Sequence, residues 1–338
     1  MRYALLLKSH ANVRYAQSLE KLALAELACL LQVWDISATP HAQDIAGARF
    51  LTFDADSLHE QAWRTISQHA AICFAASIED ELLRPLPLAG DRYLPEDIAE
   101  VLKYKGKTNA DFTATALHCA WAASDFARQD FPLTVADPVC GRGTTLFCAL
   151  KEGHNAVGID MDAKAITEAD HYFGRYLKYH KMKHRRETAS VTLKEGGSAK
   201  EIRYSFADTS EHYQEGDKRT LRLMTGDTRR AGSILGKRSC HLMVGDLPYG
   251  VQHTSRQGNT LTSLEKMLTS ALPSYAVSLK KGGAIALSFN AYTLPRKAVV
   301  QGMEQAGLTV MAEAPYADFS HWVEQAVNRD MVIARQEK

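Results

Sequence analysis

The chain has 338 residues, with 40 Lys plus Arg against 39 Asp plus Glu and a formal net charge of +1. This length suits two domains at roughly 100–200 residues each, and 46% hydrophobic with 23% charged residues is the balance of a globular enzyme. Such figures exclude a disordered chain, a fibre and a wholly basic nucleic-acid coat. No run reaches the ~18 apolar residues that a membrane span needs. The apolar core of MRYALLLKSH is too short for a secretory leader. The six cysteines, Cys29, Cys73, Cys119, Cys140, Cys148 and Cys240, form no CxxC pair. They read as reduced thiols of a cytoplasmic protein rather than zinc ligands or a disulfide frame.

In chain order, Tyr3–Leu7 reads as a strand and Ala16–Leu31 as a helix, with Leu19, Leu22, Leu27 and Leu30 at helical spacing. Phe50–Phe53 and Ala71–Ala75 read as strands, with a helix over Ser57–Ser67 between them. Pro85, Pro87 and Gly90 mark a loop, and the expected boundary separates a small α/β unit, 1–92, from a larger domain, 93–338. Beyond it, strand, loop and helix alternate. Strands are expected at Leu133–Ala136, Ala156–Ile159, Leu221–Met224, His241–Val244, Ala284–Phe289 after a Gly282–Gly283 turn, Leu308–Ala312 and Met331–Ala334. This alternation predicts a Rossmann-like parallel sheet with helices on both faces, and permits an antiparallel pair at one edge. The long polar connection about 187–207 reads as an inserted hairpin around Gly196–Gly197.

Chemistry concentrates at three places. The first is Asp137-Pro138-Val139-Cys140-Gly141-Arg142-Gly143-Thr144-Thr145, which follows a strand and opens a helix. Glycines there let backbone approach a ligand, and the helix N-terminus offers free N–H groups. The second is Asp160, 23 residues beyond Asp137 at the end of the next strand, a place suited to ribose hydroxyls. A dinucleotide remains possible at this stage, but the turn lacks the third glycine of GxGxxG, and a carboxylate at Asp137 repels phosphate while attracting an ammonium. A ligand with an ammonium and a ribose but no phosphate is S-adenosylmethionine. The third is Gly245-Asp246-Leu247-Pro248-Tyr249-Gly250, at the same sheet edge. An exocyclic amine is a poor nucleophile, and Asp246 with a backbone carbonyl can accept its N–H groups and turn its lone pair toward a methyl donor. Tyr249 offers a face for a flipped base.

On these residues the chain resembles the class I S-adenosylmethionine-dependent amino-methyltransferases. DPVCGRGTT resembles their DPFCGSGT signature and DLPYG their DPPY or NPPY signature, over about 100–338. The Leu and the glycine after the Tyr make DLPYG most similar to the tRNA guanosine-N2 methyltransferases. The resemblance implies a seven-stranded methyltransferase sheet with one reversed strand. It implies that Asp137, Cys140, Gly141 and Gly143 line the methionine end of the cofactor, that Asp160 binds the ribose and Asp227 contacts the adenine, and that Pro138, Thr144, Met161 and Thr228 belong to the same cofactor site. By the same resemblance Asp246, Leu247, Pro248 and Tyr249 are expected to form the catalytic loop. Asn109, Phe112 and Thr113, in KGKTNADFT, fall where such enzymes close over the cofactor; a helix cap is the other reading of that segment. Relatives acting on tRNA carry an N-terminal THUMP domain. The ninety or so residues here show none, so an RNA-binding role for them is unassigned.

Leu177–Arg186, LKYHKMKHRR, holds five Lys or Arg and no acid. Lys181, Lys183, Arg185 and Arg186, with Lys105 and Lys107, are candidate nucleic-acid contacts beside the flipping pocket, or else a solvated helix end. His118 and His154 lack metal-ligand spacing, and no metal is expected. The expected activity is therefore methylation of a nucleobase amine, guanine N2 in tRNA first. An adenine-N6 or cytosine-N4 DNA methyltransferase and a non-catalytic cofactor-binding RNA assembly factor are the alternatives.

Overall fold

The computed structural model describes residues 1–9, 13–80, 82–90, 92–104, 106–193, 196–249 and 260–337. Among them, two sheets form. The N-terminal sheet takes β1 (Arg2–Leu7), β2 (His41–Ile45), β3 (Ala48–Asp54), β4 (Ile72–Glu79) and β5 (Leu82–Leu86), in the order β2-β3-β1-β4-β5 and antiparallel throughout. Helices α1 (Val13–Val33) and α2 (Glu60–Ser67) accompany it. Tyr3, Leu5, Leu51, Phe53 and Ile72 pack against Ala23, Leu27, Leu31 and Ile66. β2 and β5 carry no clear alternation and fall outside the sequence reading. Pro85 is no loop marker: it sits within β5 opposite Ala76, and an edge strand tolerates a residue without an N–H.

The larger sheet contains β6 (Thr134–Asp137), β7 (Asn155–Asp160), β8 (His184–Thr192), β9 (Ser198–Phe206), β10 (Arg219–Thr225), β11 (Cys240–Asp246), β12 (Leu279–Asn290), β13 (Leu308–Val310), β14 (His321–Glu324) and β15 (Val327–Gln336). Its order is β13-β15-β12-β11-β6-β7-β10-β9-β8, with β14 pairing β15. Strands β10, β7, β6, β11 and β12 run parallel, and β15 runs antiparallel to both β12 and β13. The seven strands from β10 to β13 thus form a sheet with one reversed strand. Helices α3 (Ala110–Ala123), α4 (Thr144–Lys151), α5 (Ala163–Tyr179), α6 (Ser210–Glu215), α7 (Ala231–Leu235), α8 (Thr260–Ser278) and α9 (Arg296–Gln305) link the strands. Two apolar clusters cover the two faces. One packs α3, α4 and α5 through Leu117, Leu146 and Phe173, the other α7, α8 and α9 through Ile234, Leu272 and Val299. This is the expected Rossmann-like architecture.

The hairpin is present as β8 and β9, in register from His184↔Phe206 to Thr192↔Ser198, and it extends the sheet beyond β10. It begins at His184, earlier than the polar composition indicated. The Gly282–Gly283 pair is not a turn before a strand. β12 already starts at Leu279, and the glycines lie where its register against β11 shifts, a common use of glycine in a bulge. No helix among the described residues is long and apolar enough to cross a membrane.

Candidate active site

Parallel strands deliver their last residues to one edge. Asp137, Asp160 and Asp246 are the last residues of β6, β7 and β11, and Asp227 follows β10 by two positions. Register keeps them level: Asp137 lies opposite Gly158, Asp160 opposite Thr225 and Asp246 opposite Ser288.

The turn from β6 to α4 is tied to the neighbouring strand. The Cys140 N–H donates to Ile159 O at 3.0 Å, and the Gly141 N–H donates to Asp160 Oδ2 at 2.7 Å. Gly143 precedes α4 with φ +91°, a left-handed conformation that glycine adopts without strain. Asp137 is buried and accepts the Val139 N–H at 3.0 Å. Burial pushes its carboxyl up to about 7, against the pull of that N–H and of the Thr145 hydroxyl. Asp160 accepts two backbone N–H groups, from Gly141 and, at 2.8 Å, from Asp162. Met161 beside it is 67% exposed, an apolar side chain at the rim.

Several expected cofactor residues turn their side chains elsewhere. Cys140 is buried, with its sulfur facing Gly158, and burial raises its thiol well above the usual range. The Thr144 hydroxyl pairs with the Tyr104 hydroxyl at 3.1 Å. Thr228 bonds the buried Tyr275 hydroxyl, and Asp227 holds the Arg229 guanidinium while capping its own turn. Asn109 caps α3, accepting the Phe112 N–H at 3.1 Å, so the helix-cap reading describes its side chain. Phe112 is buried against His321, and the Thr113 hydroxyl donates to Asn109 O. Pro138 is buried beside Gly245.

Asp246 is ringed by hydroxyls. Ser288 Oγ donates to Oδ1 at 2.6 Å, the Thr108 hydroxyl donates to Oδ2, and the Tyr249 hydroxyl lies 2.9 Å from both oxygens. Arg329 Nε donates in turn to that tyrosine hydroxyl. Burial, with Asp246 adding to it, raises the Tyr249 phenol far above its ordinary value, so it remains a donor. Leu247 is buried, with its N–H given to Ser288 O at 2.8 Å, and Pro248 is exposed. Gly250 lies outside the described residues. Tyr104, Thr108, Ser288 and Arg329 were not singled out from the sequence. Thr108 lay within the quoted KGKTNADFT segment. Ser288 and Arg329 carry no local signal, because strand pairing alone brings β12 beside β11 and β15 beside β12.

The basic run is not beside this edge. α5 starts next to Asp160 and runs about 25 Å along the sheet, at 1.5 Å per residue. His184 then pairs with Phe206, which pairs with Arg219 at the start of β10. Lys181, Lys183, Arg185 and Arg186 therefore lie at the amino edge, opposite Asp137, Asp160 and Asp246. The reason is geometric: a parallel crossover must return the chain to the edge where the next strand begins. Arg186 is also held by Asp170 through two 2.8 Å bonds, and Arg185 pairs with Glu187. Lys107 donates to Ala99 O and Glu100 O. Lys105 lies outside the described residues.

No protein-family model matches the chain, and no curated protein matches it. Among solved structures it is similar to a TehB-like SAM-dependent methyltransferase from Corynebacterium glutamicum, at 16% identity over 67% of this chain and 87% of that one, with TM-score 0.39. TehB from Haemophilus influenzae is 8% identical over 88% of this chain and 73% of that one, with TM-score 0.40. An rRNA methylase from Streptococcus thermophilus is 11% identical over 70% of this chain and 100% of that one, with TM-score 0.36.

Proposed function

We propose that the chain is an S-adenosylmethionine-dependent methyltransferase acting on the exocyclic amine of a nucleobase, guanine N2 in tRNA. The observation that carries the reading is Asp246: an acceptor set at the carboxyl end of β11, on the same edge as the glycine turn and Asp160. The residues present suit the cofactor. Space is open at Gly141, where a Cβ would meet nothing within 4 Å. The buried Asp137 offers a partner to an ammonium, the lone pairs left on Asp160 offer partners to ribose hydroxyls, and Met161 offers an apolar rim to a base.

When bound, S-adenosylmethionine supplies a methyl group on a positively charged sulfur. Asp246 accepts one N–H of the target amine, aims its lone pair, stabilises the positive charge that develops on nitrogen and receives the proton that leaves. Thr108 and Ser288 hold that carboxylate in one orientation. Tyr104, stacked under the Arg142 guanidinium at 4.4 Å, covers the start of α4.

The test is transfer from labelled cofactor to bulk unmodified small RNA, followed by nucleoside mass spectrometry. Labelled N2-methylguanosine supports the reading. Label in DNA alone moves it to the adenine-N6 or cytosine-N4 class, and tight cofactor binding with no label in RNA or DNA sinks it. Asp246→Ala should cut turnover by at least ~10³-fold with cofactor affinity kept, as expected for a group acting in the transition state. Asp160→Ala should weaken cofactor binding about tenfold or more, the scale of a lost hydrogen bond to a charged acceptor.

A further inference from the structure

The Tyr249 hydroxyl does not hydrogen-bond to one oxygen of Asp246; it stands 2.9 Å from each. A donor equidistant from both oxygens lies on the bisector of the carboxylate. Two adjacent N–H groups, one to each oxygen, dock in that same place, as in fork-shaped guanidinium–carboxylate pairs. Ser288 and Thr108 each supply one oxygen with a further donor, from β12 and from the segment before α3. Between them they stop the carboxylate rotating. Arg329 seats the tyrosine: it is buried, its Nε donates to the hydroxyl, and its guanidinium lies over the rings of Phe112 and Tyr249 at 4.6 and 5.5 Å. Phe112 itself is 1% exposed, so the guanidinium rests on a buried ring.

We propose that the Tyr249 hydroxyl is a stand-in for the substrate, occupying the place of two adjacent N–H donors on the target, and that Arg329 is the positioning residue that seats it. This rests on the methyl-transfer reading of Asp246. It makes the site selective by hydrogen-bond pattern. A base edge with an exocyclic amine beside a ring N–H, as in guanine, replaces the one shared hydroxyl with a donor for each oxygen. An amine beside a bare ring nitrogen, as in adenine or cytosine, sets a lone pair against a carboxylate oxygen that here accepts. Deleting one donor of the pair should cost about 10- to 100-fold in affinity, the range for a hydrogen bond to a charged group.

The experiment uses the whole chain carrying 3-fluorotyrosine, with the ¹⁹F resonance of residue 249 assigned by its loss in Tyr249→Phe. The probes are short single-stranded oligoribonucleotides that differ only in one central base: guanine, inosine, which keeps the ring N–H but lacks the amine, or adenine. The guanine oligomer should move the resonance, inosine should need at least tenfold more, and adenine should leave it in place. In Asp246→Asn this ranking should disappear. In Arg329→Gln the guanine oligomer should act at several-fold lower concentration, because the resting donor is no longer seated; an unchanged midpoint removes Arg329 from the proposal. Equal shifts with guanine and adenine, or binding seen by fluorescence anisotropy with the 249 resonance unmoved, overturn the inference. Methyl transfer to guanine with that resonance unmoved defeats the inference alone. Failure of every oligomer to bind defeats it together with the nucleic-acid reading.

Discussion

Asp137 sits at 3% exposure at the end of β6, and burial leaves its carboxyl titrating at about 7 rather than 3.8. Between those values the folded chain holds a proton that the unfolded chain releases, so Asp137 lowers stability as pH rises from about 4 to 7. A ligand ammonium acts in the opposite sense by favouring the ionised form. Cofactor affinity should therefore rise with pH up to about 7, by about fivefold between pH 6 and 7, and fall above about 8, where an α-amino group loses its own proton. Calorimetric titration across pH 6–9 measures this, and Asp137→Asn should flatten the acid limb. An acid limb unchanged in Asp137→Asn would show that Asp137 does not meet the ammonium. The three strand-end carboxylates were legible in the sequence because each closes an apolar run. Their hydroxyl partners were not, since Ser, Thr and Tyr are common everywhere and only a fold says which of them meet Asp246.

At the scale of elements, β7 and the turn after β6 are fitted to one another at Gly158. A Cβ there would stand 2.6 Å from both Cys140 Sγ and Leu146 Cδ1, the ends of two buried side chains. Gly158→Ala should destabilise the fold by about 1–3 kcal/mol, the range for overpacking. It should also displace the turn that carries Gly141, weakening cofactor binding with it. Urea unfolding and a binding isotherm on the same preparation check both, and native values for both would show that the turn yields freely. Local pattern was informative where an element is apolar on one face, as in β6, β7, β11 and α4. It was silent for β2, β5 and β14, which are short and half-exposed. For Leu177–Arg186 it reported composition faithfully but not location, because one helix length decides which edge of a sheet a residue reaches.

Across the whole molecule, a buried ionic chain joins the two sheets. Glu26 of α1 accepts from the His118 ring at 2.6 Å, from the Thr115 hydroxyl at 2.5 Å and from the Ala70 N–H at 2.8 Å. The other ring nitrogen of His118 meets Glu152, at the end of α4, at 2.9 Å. Burial alone would lower the imidazole, but Glu152 and Glu26 outweigh it and lift it to about 9. Burial likewise opposes ionisation of both glutamates. Facing His69 and His118, Glu26 is nevertheless brought down to about 2, and Glu152 reaches about 2 through His118 and Arg92. The histidine's contribution is complete below its ordinary value of 6.5 and is lost as pH rises through 9. That of the glutamates is complete above 4.5 and is lost as pH falls through 2. His118→Ala strands two buried carboxylates and should cost about 3–5 kcal/mol near pH 6. Thermal unfolding against pH should show the native and variant curves converging above pH 9; a constant gap would mean that His118 acts by packing alone.

The sequence by itself determined the sheet class, the glycine turn and the three carboxylates that end strands, because each depends on residues adjacent in the chain. Tertiary structure alone decided which groups surround Asp246. Thr108, Arg329 and Ser288 are 138, 83 and 42 positions away from it. They meet it through strand register and the path of the segment before α3. It also decided that the basic run faces away from the site and that α1 serves both sheets, through Leu27 in one core and Cys29 in the other. Periodicity records how a segment divides between water and protein. It carries no record of which distant segment supplies the protein side, and that choice is made by the packing of the whole chain.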